Sequence, residues 1–128
     1  MSQLWRPDER MARPKTKPGE ERLSPSEWEI MRICWKLGRA NVRDILHEDL
    51  KKKNRDYRTI LTFLSRMERK GFLRVEKVLN TNYYTAALTQ EEGLRLETER
   101  FLRDVVGPRR EHLELVQAAV EHRLRRKR

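Results

Sequence analysis

The chain has 128 residues, 39% of them charged against 37% hydrophobic, and a formal net charge of +10. That is apolar material for one small core and not for two independent ones, under a surface that attracts polyanions, nucleic acid foremost. The single cysteine, Cys34, rules out an intrachain disulfide, and no apolar run approaches the about 20 residues of a membrane span, so a cytoplasmic protein is expected.

Residues 1–22 hold Pro7, Pro14, Pro18 and Gly19 among charges and read as a disordered basic arm with no signal-peptide core. Ser24 and Glu27 have the spacing of a capping box, with Pro25 at the first helical position and Leu23 and Trp28 placed as a hydrophobic staple. Trp28, Met31 and Trp35 continue a helical stripe flanked by Ile30, Cys34 and Leu37, until Gly38 stops it. Asn41 caps a second, shorter helix whose apolar stripe is Val42, Ile45, Leu46 and Leu50. The run from Lys51 to Asp56 is a polar turn.

The third helix follows. Ile60, Phe63, Leu64 and Met67 face inward, while Arg58, Thr62, Ser65, Arg66 and Arg69 lie on the other side, with Tyr57 and Thr59 near the start. Gly71 ends it. The period then changes: Phe72, Leu73, Val75 and Val78 are β-prone, Asn80-Thr81-Asn82 is a turn signal, and Tyr83, Tyr84 and Thr85 are β-prone again. A hairpin with Lys77 near its tip is expected. Thr89 and Glu92 form a second capping box that opens a long helix with sparse apolar positions, Leu94, Phe101, Leu102, Val105 and Val106, broken at Gly107-Pro108. A last helix carries Leu113, Val116, Val120 and Leu124 on one stripe and ends in the basic run RLRRKR.

This order predicts a mainly α fold with a small β-hairpin: a winged helix-turn-helix domain over 23–88, then a helical dimerisation region with a basic tail over 89–128. A helix fits the major groove of B-DNA and its N-terminal residues reach base edges. Thr59 and Thr62 suit bases or thymine methyls, and Arg58 and Arg66 suit guanine or phosphate. Lys51 to Arg58 holds five basic residues against one acidic, a phosphate-steering patch that includes Lys53 and Arg55. Tyr57 and Lys77 complete the expected DNA-binding set. Leu61, at the helix edge, either touches a thymine methyl or packs inward. The two C-terminal helices each have one apolar stripe and too few residues to bury it alone. Leu94, Phe101, Leu102, Val105, Leu113, Val116 and Val120 are therefore expected at a homodimer interface, which would present two recognition helices to a palindromic site.

Other classes find less support. Cys34, on an apolar helix side, reads as a buried small hydrophobe rather than a redox sensor. His47, His112 and His122 are scattered over different helices, so no metal and no cofactor is expected. No glycine-rich phosphate loop and no nucleophile–base pair points to an enzyme. An RNA-binding role lacks a stacking platform of exposed aromatics. The main alternative is a basic winged-helix protein–protein interaction module without a specific DNA site.

The first helix, LSPSEWEIMRICWKLG, resembles the start of the BlaI/MecI/CopY (penicillinase repressor) family. So do YRTILTFLSRMERKGFLR and TNYYTAAL, and more weakly ERFLRDVVG, over about residues 23–107. The resemblance implies a homodimeric transcriptional repressor with winged-helix DNA-binding domains. It puts Thr59 and Thr62 at recognition-helix positions that meet bases, Arg58 and Arg66 near bases or phosphates, and Tyr84 in the second wing strand, where it either packs or binds. Antibiotic-responsive members are released when a membrane sensor's signal leads to cleavage in the long dimerisation helix, here near Arg100-Phe101. Arg100 is a bulky cation where the cleaved proteins have an uncharged residue, a departure that speaks against a sensor-protease partner. The Cys-x-Cys copper motif of another branch is absent.

Overall fold

The computed structural model describes residues 15–127. They form two compact units that part between Gly93 and Leu94, and each is described by itself.

The first unit runs α1 (Pro25–Leu37), β1 (Arg39–Ala40), α2 (Val42–Asp49), α3 (Tyr57–Arg69), β2 (Leu73–Val78) and β3 (Thr81–Ala86). Local chemistry sets each helix start. Ser24 and Glu27 make the expected capping box on α1: the Glu27 N–H donates to Ser24 Oγ at 3.2 Å and the Ser24 N–H to Glu27 Oε1 at 2.7 Å. Asn41 and Asp44 repeat the device on α2, and Asp56 caps α3. The three helices close over one core in which Ile30, Met31, Ile45, Ile60, Leu64 and Met67 are fully buried. Phe63 is half-buried, and Leu50 is exposed at the end of α2 rather than continuing its inner stripe.

The hairpin belongs to a three-stranded antiparallel sheet of order β1-β3-β2. The two-residue β1 has no legible period of its own. It pairs Arg39 with Thr85 and Ala40 with Tyr84 only because α1 ends beside the hairpin. Tyr84 is buried and packs. The hairpin register runs from Leu73 opposite Ala86 to Val78 opposite Thr81. The turn is therefore Leu79-Asn80, both at positive φ (55° and 80°), as a two-residue primed turn requires. The expected turn at Asn80-Thr81-Asn82 is displaced toward the N-terminus, because Thr81 and Asn82 are already paired.

The arm expected over residues 1–22 lies partly outside the described residues, which begin at Lys15. Residues 15–22 lie against the domain. The Thr16 N–H donates to Arg69 O at 2.9 Å, the Lys70 Nζ donates to Arg22 O at 2.7 Å, and Glu21 pairs with Arg69 at 3.6 Å. Gly71 makes this approach possible: its φ is 85°, and a side chain there would collide with the Thr16 carbonyl.

Trp35 ties the sheet-to-helix connection to α1 by donating from Nε1 to Leu88 O at 2.9 Å. The capping box of Thr89 and Glu92 forms as expected and opens α4 (Gln90–Phe101). Gly93 lies against Trp35 and Trp28, where a Cβ would press on the Trp35 ring at 3.0 Å, so the first unit reaches one turn into α4.

The second unit holds the rest of α4, a π-helical turn (Leu102–Val106) and α5 (Arg110–Arg126). The Gly107 N–H donates to Leu102 O at 2.8 Å and closes the π turn, and Gly107, at φ 79°, ends it before Pro108. None of the described residues from Leu94 onward is buried. No helix of the described residues is long and apolar enough to cross a membrane.

Candidate nucleic-acid interface

The outward face of α3 is set by its inward one. With Ile60, Leu64 and Met67 at 0% exposure, Arg58, Thr62, Ser65 and Arg66 are turned to solvent along one side. Tyr57, 55% exposed, stands at the start of that face. The Thr62 hydroxyl donates to Arg58 O at 3.0 Å, which leaves its oxygen and methyl outward. Thr59 is half-buried, and its N–H donates to Asp56 Oδ1 at 2.8 Å. That backbone bond, with the Thr59 hydroxyl second, holds the Asp56 carboxyl below the usual carboxylate range. Thr59 therefore serves the helix cap before it can serve a ligand.

Among the turn cations, Lys52 and Lys53 are exposed, whereas Lys51 pairs with Glu48 at 3.0 Å. Arg55 does not join them. Its guanidinium is held by Asp49 and Glu29 and lies 5.7 Å over the Phe63 ring, with only 12% of its side chain exposed. Asp49 is 2% exposed and also accepts the Arg55 N–H at 2.8 Å. Arg55 thus neutralises a buried carboxylate and fastens the turn to α1, which sets it apart from the exposed Lys52 and Lys53. The Arg55 hydrogen bond is also the first reason that Glu29 titrates below its ordinary range.

The wing adds Lys77, exposed on β2 opposite Asn82. Tyr57 and Leu61 of α3, Arg43 of α2, and Asn80, Thr81 and Asn82 of the wing line one groove, which brings the wing tip beside the N-terminal turn of α3. Arg43, which lines this groove, lies outside the set expected from sequence. Cys34 is buried on α1, and burial pushes its thiol up to about 12, the behaviour of an inert core thiol.

In the second unit Leu94, Phe101, Val105, Leu113 and Val120 are exposed and Leu102 and Val116 half-buried. Arg100 pairs with Asp104 at 3.6 Å, one turn on, across the junction of α4 and the π turn.

The profile of the family described as "Penicillinase repressor" matches residues 23–127, which is most of the chain. The chain belongs to the penicillinase repressor family. Within and around this family it is 38% identical over 87 residues to an uncharacterized 16.5 kDa protein in the ptsI 3' region of Latilactobacillus sakei, covering 66% of this chain and 58% of that protein. It is 30% identical over 78 residues to the methicillin resistance regulatory protein MecI of Staphylococcus aureus (strain N315), covering 61% of this chain and 63% of MecI. The chain thus spans about three fifths of the length of these relatives. The solution structure of the DNA binding domain of the repressor BlaI superposes with a TM-score of 0.53 at 28% identity, over 61% of this chain and 92% of that domain. The likeness to a repressor's DNA-binding domain supports the winged-helix assignment of the first unit, and the family is one of repressors, not enzymes.

Proposed function

We propose that this chain is a DNA-binding transcriptional repressor that acts as a homodimer on a palindromic operator. The observation that carries the DNA reading is the exposed face of α3, where Arg58, Thr62 and Arg66 stand in one line with Tyr57 at its head and no acidic side chain among them. In this reading α3 enters the major groove, Thr62 reads a base edge, and Arg58 and Arg66 bind guanine or phosphate. Thr59 orders the start of the helix. Lys53 and Lys77 hold backbone phosphate on either side.

The dimer reading is supported by the second unit, in which Leu94, Phe101, Val105, Leu113 and Val120 remain exposed and none of the described residues is buried. A second copy offering the same stripes is the natural cover under two-fold symmetry. Two recognition helices then meet two half-sites, and specificity rises accordingly. The ion pair of Arg100 with Asp104, at a position where cleaved relatives lack a cation, favours release by a signal other than cleavage at Arg100-Phe101.

The test is selection of bound duplexes from a random-sequence pool by the full chain at physiological salt. Recovery of a dyad-symmetric motif is the expected result. Recovery of unrelated fragments, all lost as salt rises, would overturn the repressor reading in favour of a basic protein-interaction module.

A further inference from the structure

The run from Lys51 to Asn54 is a fixed turn that wraps around Asp49. The N–H groups of Lys52, Lys53 and Asn54 all donate to the Asp49 carbonyl, at 3.0, 2.9 and 3.0 Å, and the Arg55 N–H donates to its carboxylate at 2.8 Å. Asn54 takes the left-handed conformation that closes the turn, with φ 57°. A backbone held in this way sets where the lysine side chains begin.

Between this turn, α1 and the end of α2 lies a cavity of about 250 Å³, lined by six cations and three carboxylates. The carboxylates are already paired. Glu48 meets Lys36 at 2.9 Å and Lys51 at 3.0 Å, and Asp49 and Glu29 share Arg55. Arg32, Lys52 and Lys53 line the same cavity, are exposed, and enter no ion pair among the described residues. Arg32 and Lys53 act on Glu29 only through space. Ile33, half-buried, adds an apolar wall.

The ligand chemistry follows from this lining. Three cations on one concavity suit an anion of more than one charge. Lysine binds phosphate as a point charge and arginine binds it through a fork of donors, and a phosphate monoester carries its charge and three terminal oxygens on one centre. The volume holds roughly eight waters, so the organic body is short and rests on Ile33.

We propose that this cavity binds a small phosphate monoester through Arg32, Lys52 and Lys53, and that its occupancy competes with operator DNA for Lys53. The competition rests on the DNA-binding reading above, in which Lys53 holds backbone phosphate; the site itself does not. The bound ester draws Lys53 to itself and neutralises the patch that steers phosphate toward α3, so the chain leaves its operator. The coupling is reciprocal, and operator lowers the affinity for the ester by the same factor.

Two measurements on the full chain at fixed ionic strength test this. In the first, without DNA, glycerol phosphate is titrated into isotope-labelled protein. Amide shifts at Arg32, Lys52 and Lys53 saturate together, with a Kd of about 1 mM or tighter. Arg32→Gln, at an exposed position outside the proposed DNA face, abolishes the saturation without moving the melting temperature. Shifts that never saturate and spread over cations across the surface would show an adventitious ion only and overturn the site. In the second, affinity for the duplex selected from the random pool is measured with and without saturating glycerol phosphate. The ester weakens the parent about tenfold, within the usual range for coupled sites. Arg32→Gln binds the duplex as the parent does and is unmoved by the ester. Equal losses in parent and variant, or no loss in the parent, would overturn the competition. A parent that selects no duplex would overturn the DNA reading and the competition with it, while the titration without DNA still decides the site.

Discussion

The carboxylate of Glu27, 1% exposed, accepts through one oxygen from both the Ser24 N–H and the Lys70 ammonium, each at 2.7 Å. The first capping box and the end of α3 therefore share a single acceptor. Lys70 also holds the Arg22 carbonyl, so the same ammonium clamps the segment before α1. Removing the cation alone leaves a buried carboxylate without its partner. Lys70→Met is expected to cost about 3 kcal/mol in urea unfolding. Adding Glu27→Gln to it should restore a good part of that loss. A single variant as stable as the parent would show that Glu27 is adequately solvated without Lys70.

Arg55 and Lys53 are neighbours in the turn with opposite fates. Arg55→Ala leaves Asp49 buried and should destabilise the domain by about 2–3 kcal/mol, with weakened DNA binding that follows unfolding. Lys53→Ala should leave the melting temperature unchanged and lower the slope of log affinity against log salt by about 1. Calorimetry and a salt titration of each variant separate the two. A reduced salt slope in a folded Arg55→Ala protein would place Arg55 in the DNA-facing set.

Thr62 tests base reading directly. Thr62→Ala is expected to weaken binding to the selected duplex by about 1–3 kcal/mol and to leave binding to random duplex unchanged. Equal losses on both would assign Thr62 to the helix, through its bond to the Arg58 carbonyl, rather than to a base.

The stripe on α5 makes its own prediction. Val116 is half-buried on a helix with no buried residue, so Val116→Glu disturbs no core but places a carboxylate in the proposed two-fold interface. Sedimentation should show monomer at concentrations where the parent is a dimer, with operator affinity reduced and the melting of the winged domain unchanged. A variant that still sediments as a dimer would move the interface off this stripe.

Stability should fall in acid in a definable window. Glu48 is lowered from 4.5 to about 2, chiefly by its hydrogen bonds to Lys36 and then Lys51. A carboxylate lowered in the folded state contributes stability that is complete above its unfolded value of 4.5 and is lost as pH falls toward about 2. Asp56 and Glu29 are lowered as well and add to the same decline. Thermal melts from pH 6 to 2 should show this fall, and Glu48→Gln should flatten it. A profile that is the same in parent and variant would remove Glu48 from the account.

By itself the sequence determined what depends on neighbours along the chain. The capping boxes at Ser24 and Thr89, the Asn41 cap, the stops at Gly38 and Gly107, and the inward stripe of Ile60, Leu64 and Met67 all follow from local spacing, because a helix brings together residues three and four apart. The outward face of α3 was legible for the same reason, since fixing one face of a helix fixes the other. Tertiary structure alone decided what depends on residues far apart. The two residues of β1 are a strand only because Thr85 and Tyr84 lie beside them, and the chain before α1 reaches Arg69 and Lys70 only because Gly71 admits the Thr16 carbonyl. Arg55 looked like one more cation in a basic turn until Glu29, on another helix, and the buried Asp49 claimed it. Charge counted along a sequence has no sign of partnership, and partnership across the fold is what sorts a cation that is free to meet phosphate from one that holds the protein together.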